Sequence, residues 1–194
     1  MLRPAYPIET KRLLIRPFSE DDFEGMLAIH SRPDVVRYLY WEPRGPEEVR
    51  RVLREKSGMS AIEAEGDALS LAVVERNSGA LLGEVSLGWR SEEHRQGELG
   101  FIIHPDHGGR GFATEAAEAM LALGFEDLGL HRIYGSTEAR NAPSARLMER
   151  LGMRLEAHLI ENEFVKGEWQ SELDYAILDR EWRESRAGAG GGKS

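Results

Sequence analysis

The chain contains no cysteine among its 194 residues. That absence excludes a disulfide framework, a cysteine-ligated zinc site and a thiol nucleophile, and it fits a reducing, cytoplasmic setting. Long apolar runs are also missing. No window approaches about 18 uninterrupted apolar residues, so nothing in the sequence reads as a membrane span. Met1 to Arg16 has no apolar run long enough for a secretory signal, and charges interrupt it early. Positive charge is in deficit: 25 Lys plus Arg stand against 34 Asp plus Glu, a formal net charge of −9, which disfavours nucleic acid as a partner. No internal repeat and no break in composition marks a second domain. Residues 1–184 read as a single domain and 185–194 as a flexible Gly-rich tail ending AGAGGGKS. The closing Gly-Lys-Ser resembles the end of a phosphate-binding loop, but the earlier glycine is replaced by Ala187 and no helix follows.

What is present is ordinary for a folded protein, with 41% hydrophobic and 30% charged residues. A chain this long buries roughly 70% of its unfolded surface, enough for a core without staples. Patterning predicts a strand over 11–17 and a helix from Ser19 to about His30. It predicts a second helix over 46–56 with Val49, Val52 and Leu53 on one face. A meander of strands follows over 69–75, 80–89 and 96–104, its first turn made by Asn77, Ser78 and Gly79. Then come a helix over 108–123, a strand over 132–138, a helix over 142–151, and strands over 154–161 and 173–178. That order makes a mixed α/β layer fold rather than a regular βαβ series.

The stretch His104 to Glu115, HPDHGGRGFATE, carries the clearest chemistry. A strand ends at Pro105, a Gly-rich turn follows, and a helix begins. Free N–H groups at a helix start bind phosphate oxygens, glycines such as Gly109 and Gly111 let the backbone come close, and Arg110 adds a cation. The dinucleotide fingerprint fails, because Thr114 stands where its third glycine belongs. The Walker pattern fails too, since no Lys-Ser or Lys-Thr follows.

The run GGRGFATEA from Gly108 resembles motif A of the GCN5-related N-acetyltransferases, Q/R-x-x-G-x-G/A, which binds the pyrophosphate of acetyl-coenzyme A. Gly111 and Ala113 match it; Gly108 departs from it and shifts the binding onto amides and Arg110. A second block, RIYGSTEARNAPSARLMERLGM from Arg132, resembles the family's later strand, N-x-x-S and helix. The opening ETKRLLIRP and the GELGF strand resemble the ribosomal-protein-alanine (RimJ/RimL-like) branch. The resemblance covers residues 10 to about 182. It implies the acyl-CoA N-acyltransferase fold, a mostly antiparallel sheet splayed at the cofactor site with flanking helices.

It also implies roles. Acetyl-CoA is the expected cosubstrate, held by Gly109, Arg110, Gly111, Phe112, Ala113, Thr114, Asn141 and Arg146. A backbone N–H of Ile102 or Ile103 is expected to face the thioester carbonyl, with both side chains in the core. Ser144 is expected to protonate the leaving thiolate, or else to cap its helix. Asn141 is expected to bond the pantetheine arm and is an equally good cap. Glu98 is a candidate base or a buried structural carboxylate. Tyr38, Tyr40, Trp41 and Trp89 are candidates for the acceptor wall, and Glu163, Trp169 and Glu172 for an acidic mouth. His104 and His107 lack the further ligands a metal needs, so no metal is expected. The expected reaction is direct transfer to a primary amine, on a small molecule or a protein N-terminus, with no nucleic-acid or membrane partner. Family members are often dimers. A non-catalytic CoA-binding module and a longer donor such as succinyl-CoA remain as alternatives.

Overall fold

The structure, a computed structural model, describes residues 1–190. One sheet organises it. Its strands are β1 (Ile8–Glu9), β2 (Leu13–Pro17), β3 (Ala68–Glu75), β4 (Leu81–Ser91), β5 (Gln96–Ile103), β6 (Arg132–Glu138), β7 (Arg154–Val165) and β8 (Glu168–Leu178), in the order β1-β2-β3-β4-β5-β6-β8-β7. Every pairing is antiparallel except β5 with β6. The helices are α1 (Phe23–His30), α2 (Pro33–Val36), α3 (Pro46–Ser57), α4 (Phe112–Ala122), α5 (Ala142–Arg150) and α6 (Asp179–Gly190).

Alternation along β3 sends its side chains to two cores. Leu71 and Val73 join the larger one, with Phe112, Ala116 and Met120 of α4 and Leu147 and Met148 of α5. Ala72 and Val74 join the smaller one, with Phe23 and Met26 of α1 and Val49, Val52 and Leu53 of α3. The face expected for α3 is therefore the one it buries, and Pro46 opens the helix where a missing N–H costs nothing.

The β5–β6 pairing is short. It runs only from Gln96–Arg132 to Glu98–Tyr134. Beyond Glu98 the strands part: β5 continues on β4 as far as Ile103, while β6 continues on β8 to Glu138. That splay opens the centre of the sheet, with the starts of α4 and α5 following the two strands that diverge.

The short β1 and α2 have no counterpart in the pattern read along the chain, and three longer elements also differ from it. The final hairpin is longer than expected, since β7 reaches Val165 and β8 begins at Glu168. The register shifts between Leu159 and Glu163 break the alternation that would have marked it. Residues 185–190, expected in the tail, continue α6, which is anchored by the buried Trp182 ring 5.6 Å from Phe125. The rest of that expected tail, 191–194, lies outside the described residues. No helix among the described residues is long and apolar enough to cross a membrane.

Candidate active site

A cleft of about 1580 Å³ opens at the splay. That is more than a compact drug-sized ligand fills, and it suits an elongated one. Its lining brings together Ile102, Ile103, Gly109, Arg110, Gly111, Phe112, Ala113, Thr114, Asn141, Ser144 and Arg146, eleven of the twelve candidates read from the sequence. Glu98 is not among them.

One wall is the start of α4. Gly111 caps it at φ 80, a left-handed conformation in which a side chain is strained. The first intrahelical bond runs from Glu115 N–H to the Gly111 carbonyl, which leaves the N–H groups of Phe112, Ala113 and Thr114 for a ligand. Gly109 is also left-handed, at φ 70, with nothing within 4 Å of where a Cβ would stand. Six cations, Lys11, Arg12, Arg110, Arg146, Arg150 and Arg186, line the cleft against five carboxylates, of which Glu115 is paired with Arg12. The residues present thus fit a polyanionic group, through amides, an unobstructed turn and cations.

Arg12 is the main feature that sequence reasoning missed. Its guanidinium donates to Glu115 Oε2 at 2.7 Å and to the Arg110 carbonyl at 2.8 Å, and it stacks on Phe112. Glu115 also accepts from the Thr10 hydroxyl and the Arg12 amide. Burial would push the Glu115 carboxyl up, but the bonds from Thr10 and Arg12 hold it below its ordinary value. This knot ties β2 to the Gly-rich turn before α4. Its partners are 103 residues apart in sequence, and no local signal links them. Arg110 is less free than expected: it lies over Phe112 and 3.4 Å from Glu75.

The other wall is the unpaired edge of β5. The His104 amide donates to the Leu82 carbonyl on β4, and alternation sends the Ile102 amide the same way. The amides of Phe101 and Ile103 therefore face the gap. Of the two expected donors, Ile103 has the right direction. Both isoleucines were expected in the core; instead they are half-buried and line the cleft, because β6 has left that end of β5 uncovered.

Across the gap stands the start of α5. Asn141 caps it, its Oδ1 accepting from the Ser144 amide at 3.4 Å. The Ser144 hydroxyl is thus not needed as the cap, and it makes no hydrogen bond among the described residues.

Glu98 lies on the opposite sheet face from Leu99 and Phe101, in register with Tyr134, and accepts from Arg90 Nε at 2.7 Å. It is neither in the cleft nor deeply buried. Burial and the Glu98 charge raise the Tyr134 phenol. Further along the same face are Glu172 and Asp174 of β8, with Glu163 of β7 beside them. The Tyr40 hydroxyl donates to Glu163 at 2.8 Å and lies 3.4 Å from Glu172; Ser136 donates to Asp174 at 2.6 Å. No lysine or arginine pairs with these three carboxylates among the described residues. Burial raises the Glu172 carboxyl, and the charges of Asp174, Glu163 and Glu98 raise it further against the Tyr40 bond.

Of the other aromatic candidates, Tyr38 lines the cleft, Trp41 stacks on Arg44 and His30, Trp89 packs against the larger core, and Trp169 is exposed against Phe164. His104 and His107 meet edge to face, 5.5 Å apart, and among the described residues no three His, Asp or Glu side chains converge on a metal position.

The eight-stranded, mostly antiparallel sheet, splayed where β5 and β6 part, is the acyl-CoA N-acyltransferase fold. The model for the acetyltransferase (GNAT) domain matches residues 12–154, and the chain belongs to that family of N-acetyltransferases, which use acetyl-CoA. It is 33% identical over 178 residues to the uncharacterized N-acetyltransferase YnaD of Bacillus subtilis, covering 90% of this chain and 98% of that one. Among solved structures it resembles a GNAT-family acetyltransferase from Bacillus anthracis, with TM-score 0.80 and 32% identity over 89% of this chain and 98% of the other. It also resembles the Vibrio cholerae spermidine N-acetyltransferase solved with CoA and spermine, with TM-score 0.74 and 25% identity over 90% and 99%.

Proposed function

We propose that this enzyme acetylates a small di- or polyamine by direct transfer from acetyl-CoA in a ternary complex. The observation that carries the reading is the arrangement about the splay: an open β5 edge and Ser144 on one side, and on the other face carboxylates without cation partners among the described residues. The bound cosubstrate supplies an electrophilic thioester carbonyl. The α4 amides and Arg146 would hold its phosphates, and the Ile103 amide would donate to the carbonyl oxygen; as N–C forms and C–S breaks, Ser144 would give its proton to the departing sulfur and regain one, through water, from the attacking nitrogen.

The chemistry of the amine favours more than one nitrogen. The attacking nitrogen must be neutral, and neighbouring carboxylates stabilise the protonated form. Glu163, Glu172 and Asp174 are therefore better suited to a distal ammonium than to the nucleophile. The absence of cysteine agrees with a mechanism that needs no acyl-enzyme on sulfur.

Release of free CoA thiol is the direct test, with spermidine, an amino-sugar and an alanyl peptide compared at saturating acetyl-CoA. Spermidine is expected to turn over fastest. Ser144→Ala is expected to lower kcat by roughly 10- to 100-fold with acetyl-CoA affinity almost unchanged. Acetyl-CoA binding without thiol release from any amine would make the protein a non-catalytic module, and full turnover of the variant would remove Ser144 from the mechanism.

A further inference from the structure

The turn between β6 and α5 holds a buried carboxylate that the chemistry above does not use. Glu138 ends β6 with its side chain 5% exposed. Both of its oxygens are taken by one residue: Arg140 donates its amide to Oε2 at 3.0 Å and its Nε to Oε1 at 2.8 Å. The same turn closes through the Asn141 amide on the Glu138 carbonyl at 2.9 Å, and Asn141 in turn caps the helix at Ser144. Arg140 also reaches outward. Its terminal nitrogen meets Glu168 Oε1 at 2.6 Å, at the start of β8.

That contact joins the turn to the hairpin carrying the acceptor carboxylates. The hairpin is held on its other side as well, by Lys166 on the Val36 carbonyl and by Tyr40 on Glu163. We infer that Arg140 is a positioning residue: through Glu138 it fixes the Asn141–Ser144 turn, and through Glu168 it links that turn to the acceptor hairpin. The two links differ in strength. The outer pair is half-exposed and contributes little stability by itself. The inner one is different, because truncating Arg140 leaves a buried carboxylate with only the residue-140 amide, and the turn must shift to hydrate the other oxygen.

The catalytic part of this inference rests on Ser144 acting as proposed above; the structural part does not. Arg140→Ala is expected to lower kcat about tenfold, with the KM for acetyl-CoA moving less than about threefold, as displacement of a reacting group would do. Glu168→Ala, which removes the outer link and leaves the inner one, is expected to cost about threefold in kcat. In a Ser144→Ala background, Arg140→Ala should cause almost no further loss of kcat, since both act through one hydroxyl. Amide hydrogen exchange supplies a readout independent of turnover. The Ser144 and Ala145 amides should exchange about tenfold faster in Arg140→Ala, beyond any change in the β3 amides, which report global stability. Losses that add in the double variant would overturn the catalytic role, and unchanged exchange would overturn the positioning itself. If the unmodified enzyme acetylates no amine, the proposed function fails while the exchange measurement still decides the role of Arg140.

Discussion

The two ends of the site hold their charge in opposite ways. At the cofactor end, cations are built into a scaffold: Arg12 is fixed by Glu115 and the Arg110 carbonyl, and Arg110 lies against Phe112 and near Glu75. On the face proposed to receive the acceptor, Glu163, Glu172 and Asp174 are held, among the described residues, only by hydroxyl groups, and burial together with like-charge repulsion raises Glu172. One end is preorganised before its ligand arrives. The other is left uncompensated, and a cationic ligand would supply what is missing. A net charge of −9 is therefore no obstacle to binding a polyanion, because lining cations and helix-terminal amides set the local field.

The sharpest way to break this contrast is at the preorganised end. Gly111→Val places a β-branched side chain at φ 80 and a Cβ about 3.4 Å from the Arg12 guanidinium. Strain at such a position costs about 1–3 kcal/mol, and relieving it would turn the α4 amides away from the phosphates. The expected result is a loss of about 100-fold in acetyl-CoA affinity by calorimetry, with acceptor-end carboxylates untouched. Affinity within about threefold of the parent would mean that the amides contribute little.

This comparison was half legible in the sequence. The Gly-rich turn before α4 was readable because its glycines, the proline before it and the helix after it are adjacent, and each answers to a local backbone requirement. Asn141 and Ser144 were readable as a pair, but only the folded turn decides between them as cap. The α3 face declared itself through Val49, Val52 and Leu53. Long-range features were not readable. The Arg12–Glu115 knot, the parting of β5 from β6 after Glu98, and the convergence of Tyr40 on Glu163 all depend on topology. The same parting explains why Ile102 and Ile103, apolar and on a central strand, are only half-buried, although Ile103 still packs against the larger core. The Gly-rich composition hid the end of α6, whose anchor, Trp182, lies well upstream of the glycines.

The acceptor end can be tested without touching the turn. Replacing Glu163 and Glu172 together by Gln keeps the shape and leaves Tyr40 an acceptor, but removes two charges. The KM for spermidine is expected to rise about tenfold, and that for a monoamine to change less than about threefold, since only the distal ammonium loses partners. An equal rise for both amines would place these carboxylates at the attacking nitrogen instead. No rise for either would sever the acidic group from acceptor binding.

The smallest effect tests whether the acceptor end is truly uncompensated. A carboxyl raised in the folded state is charged less readily there than in the unfolded chain. Glu172 therefore favours the fold most below the ordinary glutamate range, and that contribution is lost as pH rises through its raised value. At neutral pH, Glu172→Gln should stabilise the ligand-free protein by a few tenths of a kcal/mol, after discounting for solvent screening. The gain should vanish as the pH falls below the ordinary range, where the parent carboxyl is already protonated. Denaturant melts at two pH values would show it, and the gain should disappear when spermidine saturates the parent, because the ligand then supplies the missing positive charge. A variant less stable than the parent at neutral pH would mean that the Tyr40 hydrogen bond outweighs the repulsion, and that Glu172 is a structural residue rather than one held in readiness for a cation.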